Sequence, residues 1–276
     1  MNKKNVVTLN PWENLKSFTD ARIALGRAGT SIPTTALLKF QLEHAQARDA
    51  VQLPLDCEAI YVQLKNELSA CPQAPELFAA ERPLILSSLA NDRGTYLQRP
   101  DLGRLLNKVS VECLKNEKSE YDLAICIVDG LSSKAIEKNV SPFLLELLGL
   151  LKGEVNYAFS PILLVQQGRV AIGDDVAQQL GAKAVMVLIG ERPGLISPDS
   201  MGMYLTYGAK VGCHDAMRNC ISNIRPAGLS YKEAASKAVY LLRESRRLGF
   251  SGVNLKERTE KTNAVEVEEI NFLTQQ

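Results

Sequence analysis

From Pro83 to Leu248 the chain alternates short apolar runs with longer amphipathic stretches, and few architectures accept that rhythm. The apolar runs are Leu84–Leu89, Leu123–Asp129, Ile162–Val165, Val185–Ile189, Met203–Tyr207 and Cys220–Ile224. Each is short enough for a strand and is bounded by turn-forming residues. Between them, Pro100–Lys115, Ser133–Lys152 and Asp174–Leu180 carry helical spacing. A last helix is expected over Ser230–Leu248, with Ser230 as N-cap, Glu233 completing a capping box and Gly249 ending it. Near-continuous apolar strands that alternate with helices build a mostly parallel sheet covered on both faces. The expectation for 81–255 is a Rossmann-like α/β domain.

The first third has a different texture. Asn10-Pro11 can open a helix, and Trp12, Leu15, Phe18 and Ile23 make an approximate helical stripe that stops at Gly26-Arg27-Ala28-Gly29. Pro33-Thr34 can open a second helix, with Leu37, Leu38, Phe40 and Leu42 as its apolar face and an end near Arg48. The stretch 51–80 reads as helical too, broken at Pro54, Pro72 and Pro75. A helical region over 1–80 is thus expected to precede the α/β domain. The tail 256–276 is polar and charged, and reads as a mobile end or a docking arm. No internal repeat is visible.

Composition narrows the function classes. With 32 basic and 31 acidic residues the net charge is +1, which favours neither a nucleic-acid nor an anionic-membrane partner. No apolar run approaches the roughly 18 residues that span a bilayer. Met1–Trp12 lacks the apolar core of a secretory signal, so the expected compartment is the cytoplasm. The six cysteines are then expected to be reduced; Cys126 sits in an apolar run and reads as a core residue. The absence of a Cys-x-x-Cys pair argues against a structural zinc site.

In open α/β sheets ligands bind outside the carboxyl ends of the strands, which singles out four loops. Asp129-Gly130-Leu131-Ser132-Ser133 is either a strand-to-helix turn with a serine N-cap or a ligand contact through free helix N–H groups. In Gln166-Gln167-Gly168-Arg169-Val170, Gly168 lets the backbone approach a flat ligand, and Val170 supplies either an apolar contact or a core residue. Gly190-Glu191-Arg192-Pro193-Gly194 puts a carboxylate at a strand end, where Glu191 can accept from ligand amides or pair with an arginine. In Arg218–Ile224, Cys220 reads on spacing alone as a core thiol.

The familiar catalytic signatures are missing. There is no G-x-G-x-x-G, no phosphate-binding G-x-x-x-x-G-K-[ST], no H-E-x-x-H and no G-x-S-x-G. Histidine is limited to His44 and His214, both read as structural, which disfavours a His-based metal centre and a Ser-His-Asp triad. Neither catalytic residues nor metal ligands are assigned to this chain. A cofactor or a partner subunit is expected to carry the difficult step.

Several stretches together resemble a known family. They are Ala24-Leu25-Gly26-Arg27-Ala28-Gly29, Pro33 through Phe40, Tyr96-Leu97-Gln98-Arg99-Pro100-Asp101-Leu102-Gly103-Arg104, Asp129-Gly130-Leu131-Ser132, Gly168-Arg169-Val170, Gly190-Glu191-Arg192-Pro193-Gly194-Leu195 and Cys220-Ile221-Ser222-Asn223-Ile224. Each is weak alone, but the ordered set over Ala21–Asn254 resembles the small (light) chain of ethanolamine ammonia-lyase. The resemblance implies a hetero-oligomer with a larger TIM-barrel subunit that binds ethanolamine, and adenosylcobalamin held between the two chains. It implies cobalamin contacts at Val170, Glu191 and Cys220, so Cys220 moves from core thiol to ligand contact. The reaction implied is cobalt–carbon homolysis and radical hydrogen abstraction from ethanolamine, ending in acetaldehyde and ammonia. This chain lacks D-x-H-x-x-G, so the lower cobalt ligand is expected to be the cofactor's own base. Family members often carry a longer extension, which can serve encapsulation in a bacterial microcompartment; here only 1–20 precede Ala21, and a microcompartment stands as the alternative location. The rival reading is a stand-alone Rossmann-type oxidoreductase, which the missing glycine fingerprint disfavours.

Overall fold

A computed structural model of the chain describes residues 6–80, 82–117, 119–152 and 157–255. The tail 256–276 lies outside the described residues, so its reading as a mobile end or docking arm is not addressed by the fold.

The sequence between residues 6 and 80 starts with an antiparallel ribbon, β1 (Val7–Thr8) against β2 (Arg27–Ala28). The expected first helix shrinks to a 3-10 turn over Glu13–Ser17 with no buried residue. Trp12 and Phe18, meant as its apolar stripe, are exposed. A short helix with no face to bury cannot offset the cost of its own nucleation. Helix α1 (Thr34–Gln52) follows and ends before Pro54, since the residue ahead of a proline is pushed out of the helical region. It runs past the expected end at Arg48, and its apolar residues Leu37, Leu38, Phe40 and Leu42 are exposed. Helix α2 (Cys57–Glu67) is capped by Asp56, which accepts from Ala59 N at 3.0 Å, and α3 (Ala74–Leu77) begins with Pro75 near its start. Ile60, Leu64, Leu68 and Leu77 from this stretch share one buried cluster with the sheet.

The sheet has six strands: β3 (Leu84–Ser87), β4 (Leu123–Val128), β5 (Leu163–Gln166), β6 (Ala184–Gly190), β7 (Met201–Tyr207) and β8 (Arg218–Ile224). Their spatial order is β3-β5-β4-β6-β7-β8. The first four in that order are parallel, as expected, whereas β7 and β8 turn back antiparallel. A parallel return needs a crossover of a dozen or more residues, usually a helix, and the ten-residue links 191–200 and 208–217 contain no α-helix, only a 3-10 turn at Asp215–Met217. An unexpected helix α4 (Arg93–Gln98) is capped by Asp92, which accepts from Thr95 N. The helix expected over Pro100–Lys115 is reduced to α5 (Lys108–Lys115), which starts where Asn107 caps it by accepting from Ser110 N, after a 3-10 turn at Leu102–Arg104.

Helices α6 (Ser133–Leu151), α7 (Ile172–Leu180) and α8 (Tyr231–Leu248) complete two covering layers. Strand alternation sorts side chains between them. Leu123, Ile125 and Ile127 of β4 point to the face covered by α2, α6 and α8. Ala124, Cys126 and Val128 point to the face covered by α5 and α7. Burying both faces explains why β4 and β6 read as unbroken apolar runs. The result is an α/β fold with helices on both faces. Helix α8 has the capping box of Ser230 and Glu233, and Gly249 at φ +77° ends it.

Candidate functional site

The chain leaves β4 toward α6 on one face and leaves β5 toward α7 on the other, so the carboxyl ends of β4 and β5 flank a change of winding direction. Asp129 stands there, 1 % exposed. Its carboxylate accepts from Gln167 N at 2.9 Å and Gly168 N at 3.2 Å, binding one loop to the next. Burial pushes its pKa up from 3.8 to about 6, against the pull of those two amides and of Arg93. Ser132 caps α6 by accepting from Ala135 N and donates to Pro198 O at 2.7 Å. The structure shows the strand-to-helix turn with Ser132 as the cap, and Asp129 is engaged by the neighbouring loop.

Arg93, which sequence reasoning missed, locks the same corner. It donates to Val51 O at 2.6 Å, Gly130 O at 2.9 Å and Gln167 Oε1 at 3.2 Å, and lies 3.7 Å from Asp129. The only signal was local: Asp92 as a helix cap, with Arg93 in the turn that follows. Tight backbone contact closes the arrangement. A Cβ on Gly130 would sit 2.3 Å from Gly190 O, and one on Gly190 would sit 2.1 Å from Ser132 O. Gln167 and Asn223 both adopt positive φ, at 55° and 59°, which non-glycine residues seldom do outside constrained sites.

Val170 and Cys220, 50 positions apart in sequence, come to line one open cleft of about 320 Å³ together with Tyr204, Arg104, Arg169 and Arg218. Val170 is half-buried and packs its inner side on the cluster beneath α7. Cys220 is exposed, so the core-thiol reading on spacing does not hold. It sits opposite Tyr204 across the β7–β8 pair, and the bulge between Met201 and Met203 lies farther along the same pair. Neighbouring atoms raise the Cys220 pKa by desolvation; the Tyr204 hydroxyl bond opposes that rise and the Glu191 charge adds to it.

Glu191 stands beside this cleft rather than in its wall. Its Oε2 accepts from Ser200 Oγ and from Asn223 N, the latter at 3.2 Å. Its Oε1 lies over Gly202, where a Cβ would come within 2.8 Å, and accepts no hydrogen bond among the described residues. Glu191 does not pair with Arg192; the strand-end glycines Gly190 and Gly202 let it lie along the sheet edge. One carboxylate oxygen is held and the other is available to a donor.

Beneath the cleft, Arg218 and Asp174 form an ion pair with both side chains 3 % exposed. Arg218 Nη1 donates to the two Asp174 oxygens at 2.6 and 2.8 Å, tying α7 to β8. His44 stacks on Phe40 at 6.1 Å and His214 precedes a 3-10 turn; neither lines the cleft. Among the described residues no group of His, Cys, Asp and Glu could hold a metal ion, and no helix is long and apolar enough to cross a membrane.

Comparison with known proteins gives one consistent family. The family model for ethanolamine ammonia-lyase light chain (EutC) matches residues 9–256. The ethanolamine ammonia-lyase small subunit of Pseudomonas fluorescens (strain Pf0-1) is 49% identical over 264 residues, covering 94% of this chain and 92% of that protein. The small subunit of Azotobacter vinelandii is 48% identical over 264 residues, with 94% and 93% covered. That of Ralstonia nicotianae is 48% identical over 258 residues, with 92% and 91% covered. The family match spans the helical region, the sheet and the cleft alike, and the chain belongs to the ethanolamine ammonia-lyase light-chain family.

Proposed function

We propose that this chain is the small subunit of an adenosylcobalamin-dependent ethanolamine ammonia-lyase, and that its sheet-end face holds cobalamin against a large TIM-barrel subunit. The complex converts ethanolamine to acetaldehyde and ammonia, with ethanolamine bound by the large subunit. The observation that carries the reading is the convergence of Val170 and Cys220 on one cleft, with the open Oε1 of Glu191 beside it. Those residues suit the rim of a flat macrocycle that bears amide arms. Val170 offers an apolar surface, Glu191 accepts from amide N–H groups, and the small Cys220 side chain leaves space above β8.

When bound, adenosylcobalamin supplies the hydrogen-abstracting radical by breaking its cobalt–carbon bond. This chain's residues contribute position. Asp129 and Arg93 hold the 129–132 and 167–171 loops in register, so Val170 presents a fixed surface. Ser200 and Asn223 hold one Glu191 oxygen, which aims the other. The need for a partner is supported by the apolar surface: twelve of the twenty-four exposed large hydrophobics among the described residues fall between Val6 and Leu53. The location that goes with this reading is the cytoplasm, or a bacterial microcompartment within it.

The test is ethanolamine-dependent acetaldehyde release with adenosylcobalamin, measured for this chain, the large subunit, and both together. Activity confined to the mixture is expected, as is weaker corrinoid binding by an assembled complex carrying Glu191→Ala. Failure of a well-folded mixture to turn over ethanolamine overturns the reading.

A further inference from the structure

The cleft shared by Val170 and Cys220 holds more positive charge than its own carboxylates balance. Three arginines line it. Arg218 is fully engaged, by Asp174, by Asp215 Oδ1 at 3.3 Å and by Cys213 O at 2.8 Å. Arg104 and Arg169 are not. Among the described residues neither has a carboxylate within ion-pair distance, and the Arg104 guanidinium has no hydrogen-bond partner at all. Arg169 is held in place without being neutralised: its plane lies 4.2 Å over the Tyr96 ring and Nη2 donates to Tyr96 O at 3.0 Å. Its Nε is buried with no acceptor. An orphaned donor on a half-buried cation is costly unless a ligand completes it.

We propose that Arg104 and Arg169 form an oxyanion subsite in this cleft, occupied by the phosphodiester of the corrinoid's nucleotide arm. The subsite follows from the unbalanced guanidinium pair; the identity of its ligand rests on the cofactor reading above. Guanidinium forks match tetrahedral oxyanions in shape and charge, and each bond so formed is charge-assisted. Tyr96 fixes Arg169 from one side, while the exposed Arg104 can close from the other. Val170 and Cys220 line the same cleft, so the anion fixes the arm while the apolar wall meets the rest of the ligand.

The experiment is equilibrium binding of two corrinoids to the assembled two-subunit complex, followed by absorbance: hydroxocobalamin, and cobinamide, which ends before the phosphodiester. Arg104→Gln is expected to weaken hydroxocobalamin about tenfold, the effect of one charge-assisted bond, and to leave cobinamide unchanged. Arg169→Gln is expected to do the same, with Arg169→Lys keeping part of the affinity if loss of the Tyr96 stack impairs assembly. Equal losses for both corrinoids, or no loss for either, overturn the subsite. If the wild-type complex binds neither corrinoid, the cofactor reading fails, and titration with inorganic phosphate decides the subsite alone. Phosphate binding that Arg104→Gln weakens about tenfold keeps an oxyanion site fed by a free phosphate; binding indifferent to Arg104 overturns it.

Discussion

Replacing Arg218 with methionine isolates the energetics beneath the cleft. The change removes the guanidinium and leaves the Asp174 carboxylate, 3 % exposed and with no other hydrogen-bond partner among the described residues, between α7 and β8. Breaking a buried pair from one side costs about 3–5 kcal/mol, because the surviving charge is neither solvated nor paired. At roughly 2–4 °C per kcal/mol for chains of this size class, the melting temperature should fall by about 6–20 °C. Asp174→Leu should cost less, since Arg218 keeps Cys213 O and Asp215. The double variant Arg218→Met/Asp174→Leu should recover most of the loss, giving a coupling energy of at least about 2 kcal/mol. The loss in Arg218→Met alone should also shrink in acid, where the stranded carboxyl protonates. Urea unfolding followed by far-ultraviolet circular dichroism, run on all four proteins at neutral and acid pH, reads these numbers. A single-variant cost below about 1 kcal/mol, or a double variant as unstable as the sum, would refute the claim that the pair is desolvated and coupled.

Three further outcomes follow from the fold. Gly190→Ala places a Cβ 2.1 Å from Ser132 O and 2.7 Å from Asp129 O, both backbone atoms, so overpacking should cost about 1–3 kcal/mol by urea unfolding; an unchanged midpoint would mean the loop yields freely. The Asp129 carboxyl is raised from 3.8 unfolded to about 6 folded, so the folded state binds more protons in that window. Stability from this group is therefore fully present below pH 3.8 and falls as pH rises to about 6, by about 3 kcal/mol. The stability gap between wild type and Asp129→Asn should change across that window, and parallel pH curves would show that Asp129 does not titrate there. Ser230→Ala removes the cap that accepts from Glu233 N at 3.3 Å, and should cost about 1 kcal/mol without altering corrinoid binding.

Legibility from sequence varied with the range of the interaction. The apolar run 123–128 and its neighbour 184–190 could be read nearly to the residue, since burial on two faces leaves no polar position in a central strand. The Ser230–Glu233 box and Gly249 were equally plain, because caps act within four residues. The first helix failed for the opposite reason: Trp12, Leu15, Phe18 and Ile23 have the spacing, but Trp12 and Phe18 stay exposed to solvent. Val170, Glu191 and Cys220 were visible as a site through family resemblance, two of them also through their place at strand ends.

By itself the sequence determined the α/β class, the identity of the central strands, the closing helix and the membership of the ethanolamine ammonia-lyase light-chain family. These rest on local periodicity, short-range capping and ordered motifs, all of which lie along the chain. Only the tertiary structure decided that β7 and β8 run antiparallel, that Asp129 binds the next loop, that Arg93 joins three segments, and that Val170 and Cys220 share a cleft. Those facts depend on which strand lies beside which, and the side-chain partners meet across 37 to 74 positions of chain, beyond the reach of any local signal.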